Sequence, residues 1–319
     1  MPLFGGKPKT FIDLNRGDAE VAKLRAAAAG KDWRTVAAAF QSNTDQMRRE
    51  YLIDSIALQS TDLGWVEAWI QEKSADALAR TMWGACAVQY AWQIRSGRVP
   101  EQVSAQQFQG FHGWLTHAEE QLVNAAKMDG ADASPCIALL WTAVGLNPPP
   151  EEAQARWHEA VTRNPRTEHG LWAYVTYISP RWNGSADQMW SFLRDFLAHE
   201  PEGGPRWAMM PVGHFEQATA ESMERKTSVR GTGHFEQPEV QHEIMEAYTR
   251  YLASPAKQQS YLESLYREFF AGAFFLMGAR EPLRAELQKM GPGIQALPWG
   301  LLGDSVAVYE KAREWAGLR

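Results

Sequence analysis

Cysteine is scarce in this 319-residue chain, with two, and no apolar run is long enough to cross a bilayer. Cys86 and Cys136 fall in apolar helical stretches and read as buried thiols. A disulfide needs an oxidising compartment, of which the sequence carries no other sign. The longest apolar run, Phe269 to Ala279, reads as a buried helix. Clustered Lys and Arg are missing too. With a formal net charge of −6, no electrostatic feature invites phosphate, and nucleic acid is not expected as a partner. There is no P-loop, no G-x-S-x-G and no G-x-G-x-x-G after a strand, and no window alternates apolar and polar residues as a strand does. Residues 1–15 read as a flexible leader. Their MPLFGGKPKTF lacks the apolar core and small-residue cleavage site of a signal peptide, so the expected location is cytoplasmic, away from membranes.

Helical periodicity is abundant by contrast. Hydrophobic residues make up 45% and charged residues 22%, the composition of an ordinary folded protein. The 14 tryptophans are scattered from Trp33 to Trp315, which suits packing throughout the fold better than one aromatic site. About fourteen helices can be traced by apolar spacing and by caps such as the S-x-x-Q boxes at Ser104/Gln107 and Ser185/Gln188. Ala153, Trp157, Ala160 and Pro165 share their spacing with Met189, Leu193, Phe196 and Pro201, about 36 residues later. Such a period suggests stacked helical hairpins. The expected fold is all-α, an α/α solenoid of tetratricopeptide-like hairpins. Residues 16–202 form the repeat region, and 203–319 a less regular continuation after the PEGGP break.

The segment YISPRWNGS at 177–185, followed by a capped DQMWSFLRDF helix, resembles an uncharacterised actinobacterial family of tetratricopeptide-like helical proteins. GHFEQ at 213–217 and the helix opening at Pro238-Glu239-Val240 are similar to that family as well. Asn183 stands where another glycine is expected. The resemblance implies a fold and no chemistry, and the full tetratricopeptide signature is incomplete.

Trp172, Tyr174, Tyr177, Arg181 and Trp182 form an aromatic stripe with a guanidinium in the adjoining turn. Aromatics at helical spacing usually form core. Alternatively they line an exposed groove, because Trp, Tyr and Arg are the residues that anchor partners. On that alternative the chain is a non-catalytic scaffold that binds another protein or a peptide, needs no cofactor and has scope to form a homo-oligomer. The second functional reading is a small-molecule or metal-binding protein, or an enzyme, built on 203–240. There GHFEQ occurs twice, and His214, Glu216, His234 and Glu236 are of metal-ligating type. Residues 218–232 between the copies read as a polar loop. Glu239, His242, Glu243 and Glu246 read as a solvated helix face. Gly303-Asp304-Ser305 has no histidine after it, so it caps the last helix rather than supplying a hydrolase nucleophile.

Overall fold

In the computed structural model, which describes residues 9–96 and 103–318, the chain is all-α, with fifteen α-helices and one short strand pair among the described residues. It divides into two units. One holds residues 18–189, and the other holds 190–318 together with 9–17. The boundary therefore falls within a helix, ahead of PEGGP, and the described end of the expected leader belongs with the C-terminal unit.

The first unit contains α1 (Ala19–Ala29), α2 (Trp33–Ser42), α3 (Gln46–Ala57), α4 (Gly64–Glu72), α5 (Ala77–Arg95), α6 (Ala105–Met128), α7 (Ser134–Leu146), α8 (Pro150–Arg163) and α9 (Glu168–Tyr177). Side-chain oxygens start most of them. Asp18, Asp32, Asp45, Asp76 and Thr167 each accept a backbone N–H of the first turn, and Ser104 and Gln107 form the full reciprocal box. Each such cap contributes about 1 kcal/mol. Asn147 ends α7 in the left-handed conformation, and prolines 148 to 150 launch α8.

Odd-numbered helices α1, α3, α5, α7 and α9 touch in succession, and α3 also reaches α7 and α9. The long α6 lies against α5 and α7, and α8 lies against α7 and α9. Glycine permits the closest approaches. A Cβ on Gly84 would stand 2.4 Å from Leu122 Cγ, and one on Gly145 2.5 Å from Phe111 Cζ. The tryptophans pack as expected: Trp33 stacks on Trp69 at 5.4 Å, and Trp157 stacks on Tyr174 at 5.3 Å. Both cysteines are buried free thiols, and burial pushes Cys86 up to about 12 and Cys136 to about 11. Neither is a thiolate nucleophile at neutral pH.

Helix α10 (Ala186–Leu197) carries the boundary between the units after Met189. The second unit continues with α11 (Met209–Glu224), α12 (Pro238–Arg250), α13 (Glu263–Met277), α14 (Arg280–Leu287) and α15 (Ser305–Trp315). Its centre is α13, the helix read from the apolar run, which buries Tyr266, Phe269, Phe270 and Phe274 against neighbours that include α11, α12 and α14. Strand β1 (Phe11–Ile12) pairs in parallel with β2 (Gly293–Ile294). Buried Glu268 accepts hydrogen bonds from the Gln295 backbone and from Trp299 Nε1, both at 2.7 Å, and so fastens the segment after β2 to α13.

Of the segment expected as a polar loop at 218–232, the first part, to Glu224, is the end of α11. Ala218, Thr219 and Ser222 face inward with Val212 and Phe215, so small polar residues on a buried stripe concealed the helix. Asp304 caps α15 as expected, accepting from the Ala307 N–H at 2.9 Å. No helix among the described residues is long and apolar enough to cross a membrane.

Candidate functional site

The first unit contains a cavity of about 40 Å³ lined by four of its odd-numbered helices, α3, α5, α7 and α9. Ile53, Val88, Ile137 and Trp141 are among its apolar wall residues, and Glu50, Asp54, Gln89, Ser134 and His169 supply polar groups. At about 10–15 Å³ for each water, it has room for about three.

Glu50 is held from α3 by two donors: Asn164 Nδ2 at 2.6 Å and Thr167 Oγ1 at 2.8 Å. Thr167 also caps α9, so the residue that starts α9 positions the carboxyl as well. Burial nevertheless raises Glu50 to about 8, helped by the charges of Asp132 and Glu168 and opposed by those two hydrogen bonds. The His169 ring lies between two carboxyls, with Nδ1 4.0 Å from Glu50 Oε2 and Nε2 3.8 Å from Asp54 Oδ2. The buried Ser134 hydroxyl opens the N-terminal turn of α7 and has no hydrogen-bond partner among the described residues. Sequence reasoning missed this cluster. The available signal was Glu50 itself, a charge on the helical stripe shared with Ile53 and Ala57.

The expected aromatic patch separates. Tyr174 and Tyr177 are buried, stacked in series behind Trp157, and the Tyr177 hydroxyl donates to the Pro148 carbonyl at 3.0 Å. Those two rings are core and offer no face to a partner, which corrects the exposed-groove alternative for them. Trp172 is half-buried, edge-on to Trp141 of the cavity at 6.2 Å. Trp182 meets Trp92 edge-on, with the Arg95 and Arg181 guanidiniums each 5.3 Å from its ring. The turn holding it is fixed by Asn183 Nδ2, which donates to the Val144 carbonyl at 3.0 Å. Asparagine thus has a bonding role where the resemblance implied glycine.

In the second unit the two GHFEQ copies meet. Copy one lies in α11 and copy two in a 3₁₀ turn at His234–Glu236. His214 Nδ1 is 3.1 Å from His234 Nε2, and Phe215 and Phe235 pack at 4.9 Å between centroids. Gly213 admits Trp190, whose ring lies 4.5 Å from that of His214. The flanking carboxylates differ from those expected. Glu243 Oε2 lies 3.2 Å from His214 Nε2, and Glu221 Oε1 lies 3.4 Å from His234 Nδ1. Glu216 is buried and Glu236 is exposed. Arg194 pairs with Glu243, Arg225 lies 3.6 Å from Glu221, and Gln217 donates to Glu221 while accepting from Trp190 Nε1. Glu243, read as part of a solvated face, is therefore one end of a carboxylate–imidazole–imidazole–carboxylate chain. No group of three or more His, Cys, Asp or Glu among the described residues is disposed to hold a metal ion.

Two neutral rings leave one imidazole lone pair facing a carboxylate, and a third proton closes the chain. Desolvation opposes that proton: it lowers His214 against the pull of Glu243. It also lowers His234, with the charge of His214, to about 4. A histidine held below its usual value stabilises the fold above pH 6.5 and loses that contribution as pH falls toward 4. Ring ¹H–¹⁵N spectra over pH 3–8 are expected to show His214 and His234 titrating together below the usual histidine range. Independent titration of both near 6.5 rejects the coupled chain.

Comparison with known protein families, curated proteins and solved structures finds no match to this chain.

Proposed function

We propose that the chain is a non-catalytic helical-hairpin scaffold that binds a peptide segment of another protein. The binding face is the one formed by α3, α5, α7 and α9. The observation that carries this reading is the cavity. It opens on the layer formed by alternate helices, with α6 and α8 packed against that layer, and in stacked helical hairpins such a layer is where an extended partner lies. The succession of alternate helices in contact also supports the hairpin-repeat layout that the 36-residue spacing and the resemblance implied. Trp172 and Trp141 beside the cavity supply half-exposed aromatic surface of the kind that dominates binding energy.

Site-specific photocross-linking in the native host tests the proposal. A cross-linker at Gln89 or Trp172 is expected to capture one and the same protein, and one at Lys127 on α6 is expected to capture none. Equal capture from all three positions, or none while the helical spectrum is intact, rejects the scaffold reading.

A second reading, a site in 203–240, is favoured by the paired histidines. The chemistry on view there is proton binding by His214 and His234 between Glu243 and Glu221.

A further inference from the structure

We infer that the cavity among α3, α5, α7 and α9 is a recognition pocket for the terminal ammonium group and last methylenes of an alkyl amine, such as the tip of a lysine side chain. The inference rests on the proposed use of this face for binding and names the group it recognises.

The charge around the cavity is the first argument. Asp54 of α3 lines it with Glu50, and Asp132 before α7 and Glu168 of α9 act on Glu50 electrostatically. Arg49 pairs with Asp132 at 2.8 Å, and no Lys or Arg among the described residues lines the cavity wall. His169 is the one titratable nitrogen that the described residues place on the wall, and it faces two carboxyls. A cation is the ligand that this balance attracts, and an anion is repelled.

Wall chemistry selects among cations. Ile53, Ala57, Ala85, Val88, Ile137 and Ala138 give an aliphatic lining that suits a methylene stem. A bare metal ion gains nothing from that lining. The polar end offers acceptors of the right kind for the three N–H bonds of an ammonium: the Glu50 and Asp54 carboxyls and the Ser134 hydroxyl. Ser134 is the independent sign of a ligand, because its buried hydroxyl lines the cavity with no partner among the described residues. Such a group is costly to bury unless something bonds to it. Trp141 on the wall adds an aromatic surface of the kind that attracts ammonium groups.

Glu50 makes binding depend on pH. Free, it retains its proton to about 8 because burial penalises the charge. An ammonium beside it favours the carboxylate, so binding releases a proton and strengthens as pH rises toward 8.

The test uses the full chain and three probes: N-acetyl-lysine-N-methylamide, n-butylamine, and the norleucine analogue, which has the same stem without the charge. The readout is the Trp141 indole ¹H–¹⁵N signal, assigned with Trp141→Phe. Saturable shifts are expected with the lysine probe and with butylamine, and none with norleucine. Asp54→Asn, a change at a partly exposed position, is expected to weaken binding at least tenfold in protein whose helical spectrum and melting temperature match wild type. Ser134→Ala is expected to weaken it several-fold. Butylamine binding without the lysine probe supports the pocket and makes its ligand a free amine. The inference is overturned if neither cation shifts Trp141 saturably, if norleucine binds as well, or if Asp54→Asn and Glu50→Gln leave affinity unchanged. A partner cross-linked from Trp172 equally in wild type and Asp54→Asn would also overturn it while leaving the scaffold reading standing.

Discussion

Gly203→Ala is expected to destabilise the C-terminal unit by roughly 4 kcal/mol, a drop of about 15 °C in its melting temperature. The residue sits at φ +80°, a left-handed conformation that costs a non-glycine residue about 1–2 kcal/mol. A Cβ there would stand 2.0 Å from the Ala256 carbonyl oxygen and 2.4 Å from its carbon. Both atoms are backbone and cannot rotate away. Relieving the overlap separates two strands of chain held by the Gly203 N–H donating to Arg250 O at 2.7 Å and the Gln258 N–H donating to Gly203 O at 2.9 Å. Those bonds are worth about 1 kcal/mol each. Gly291→Ala is the control, since a methyl group there would meet no heavy atom within 4 Å and the residue's φ is unexceptional. Thermal melts followed by circular dichroism decide the matter. If Gly203→Ala melts with Gly291→Ala and wild type, the close approach of 203 to 256 is not part of the folded state.

The second large effect is the pH dependence contributed by Glu50. Its carboxyl is raised from 4.5 to about 8 in the fold, with burial as the main cause. The folded state therefore holds a proton that the unfolded state releases. The contribution is full below pH 4.5 and is lost as pH rises through 8. At 1.36 kcal/mol for each pH unit, the loss across that window is roughly 5 kcal/mol at most. Glu50→Gln removes the ionisation and keeps one oxygen to accept from Asn164, while its NH2 faces the Thr167 hydroxyl as a donor. The variant is expected to match wild type near pH 5 and to exceed it by several kcal/mol at pH 8.5, about a factor of ten in the folding equilibrium for each 1.4 kcal/mol. Urea denaturation of both proteins at the two pH values measures this. Parallel profiles would mean that Glu50 ionises as an exposed glutamate does.

These two residues show what kind of information was hidden along the chain. PEGGP reads as a break, since Gly and Pro interrupt periodicity whatever they touch. The need for glycine at 203 arises from a carbonyl more than 50 residues away. Glu50 reads as one charge among several in QMRREYLIDSI. Its raised pKa comes from burial once α3 is packed, against the hydrogen bonds that Asn164 and Thr167 donate to it.

The candidate sites divide the same way. GHFEQ was conspicuous as a repeat, and its two histidines do meet. The carboxylates beside them, Glu243 and Glu221, come from α12 and the far end of α11, outside the repeated pentapeptide. The aromatic stripe was visible as well. Burial assigned Tyr174 and Tyr177 to the core and left Trp172, Arg181 and Trp182 outside it.

What the sequence determined by itself is the helical class, most helix starts and the absence of strand-forming stretches. Apolar spacing and capping side chains act over a few residues, so they are written locally. The boundary inside α10, the pairing of residues 11–12 with 293–294, and both polar clusters were decided only by tertiary structure. Each depends on which helices come together, and desolvation and hydrogen-bond partners exist only after that packing is made.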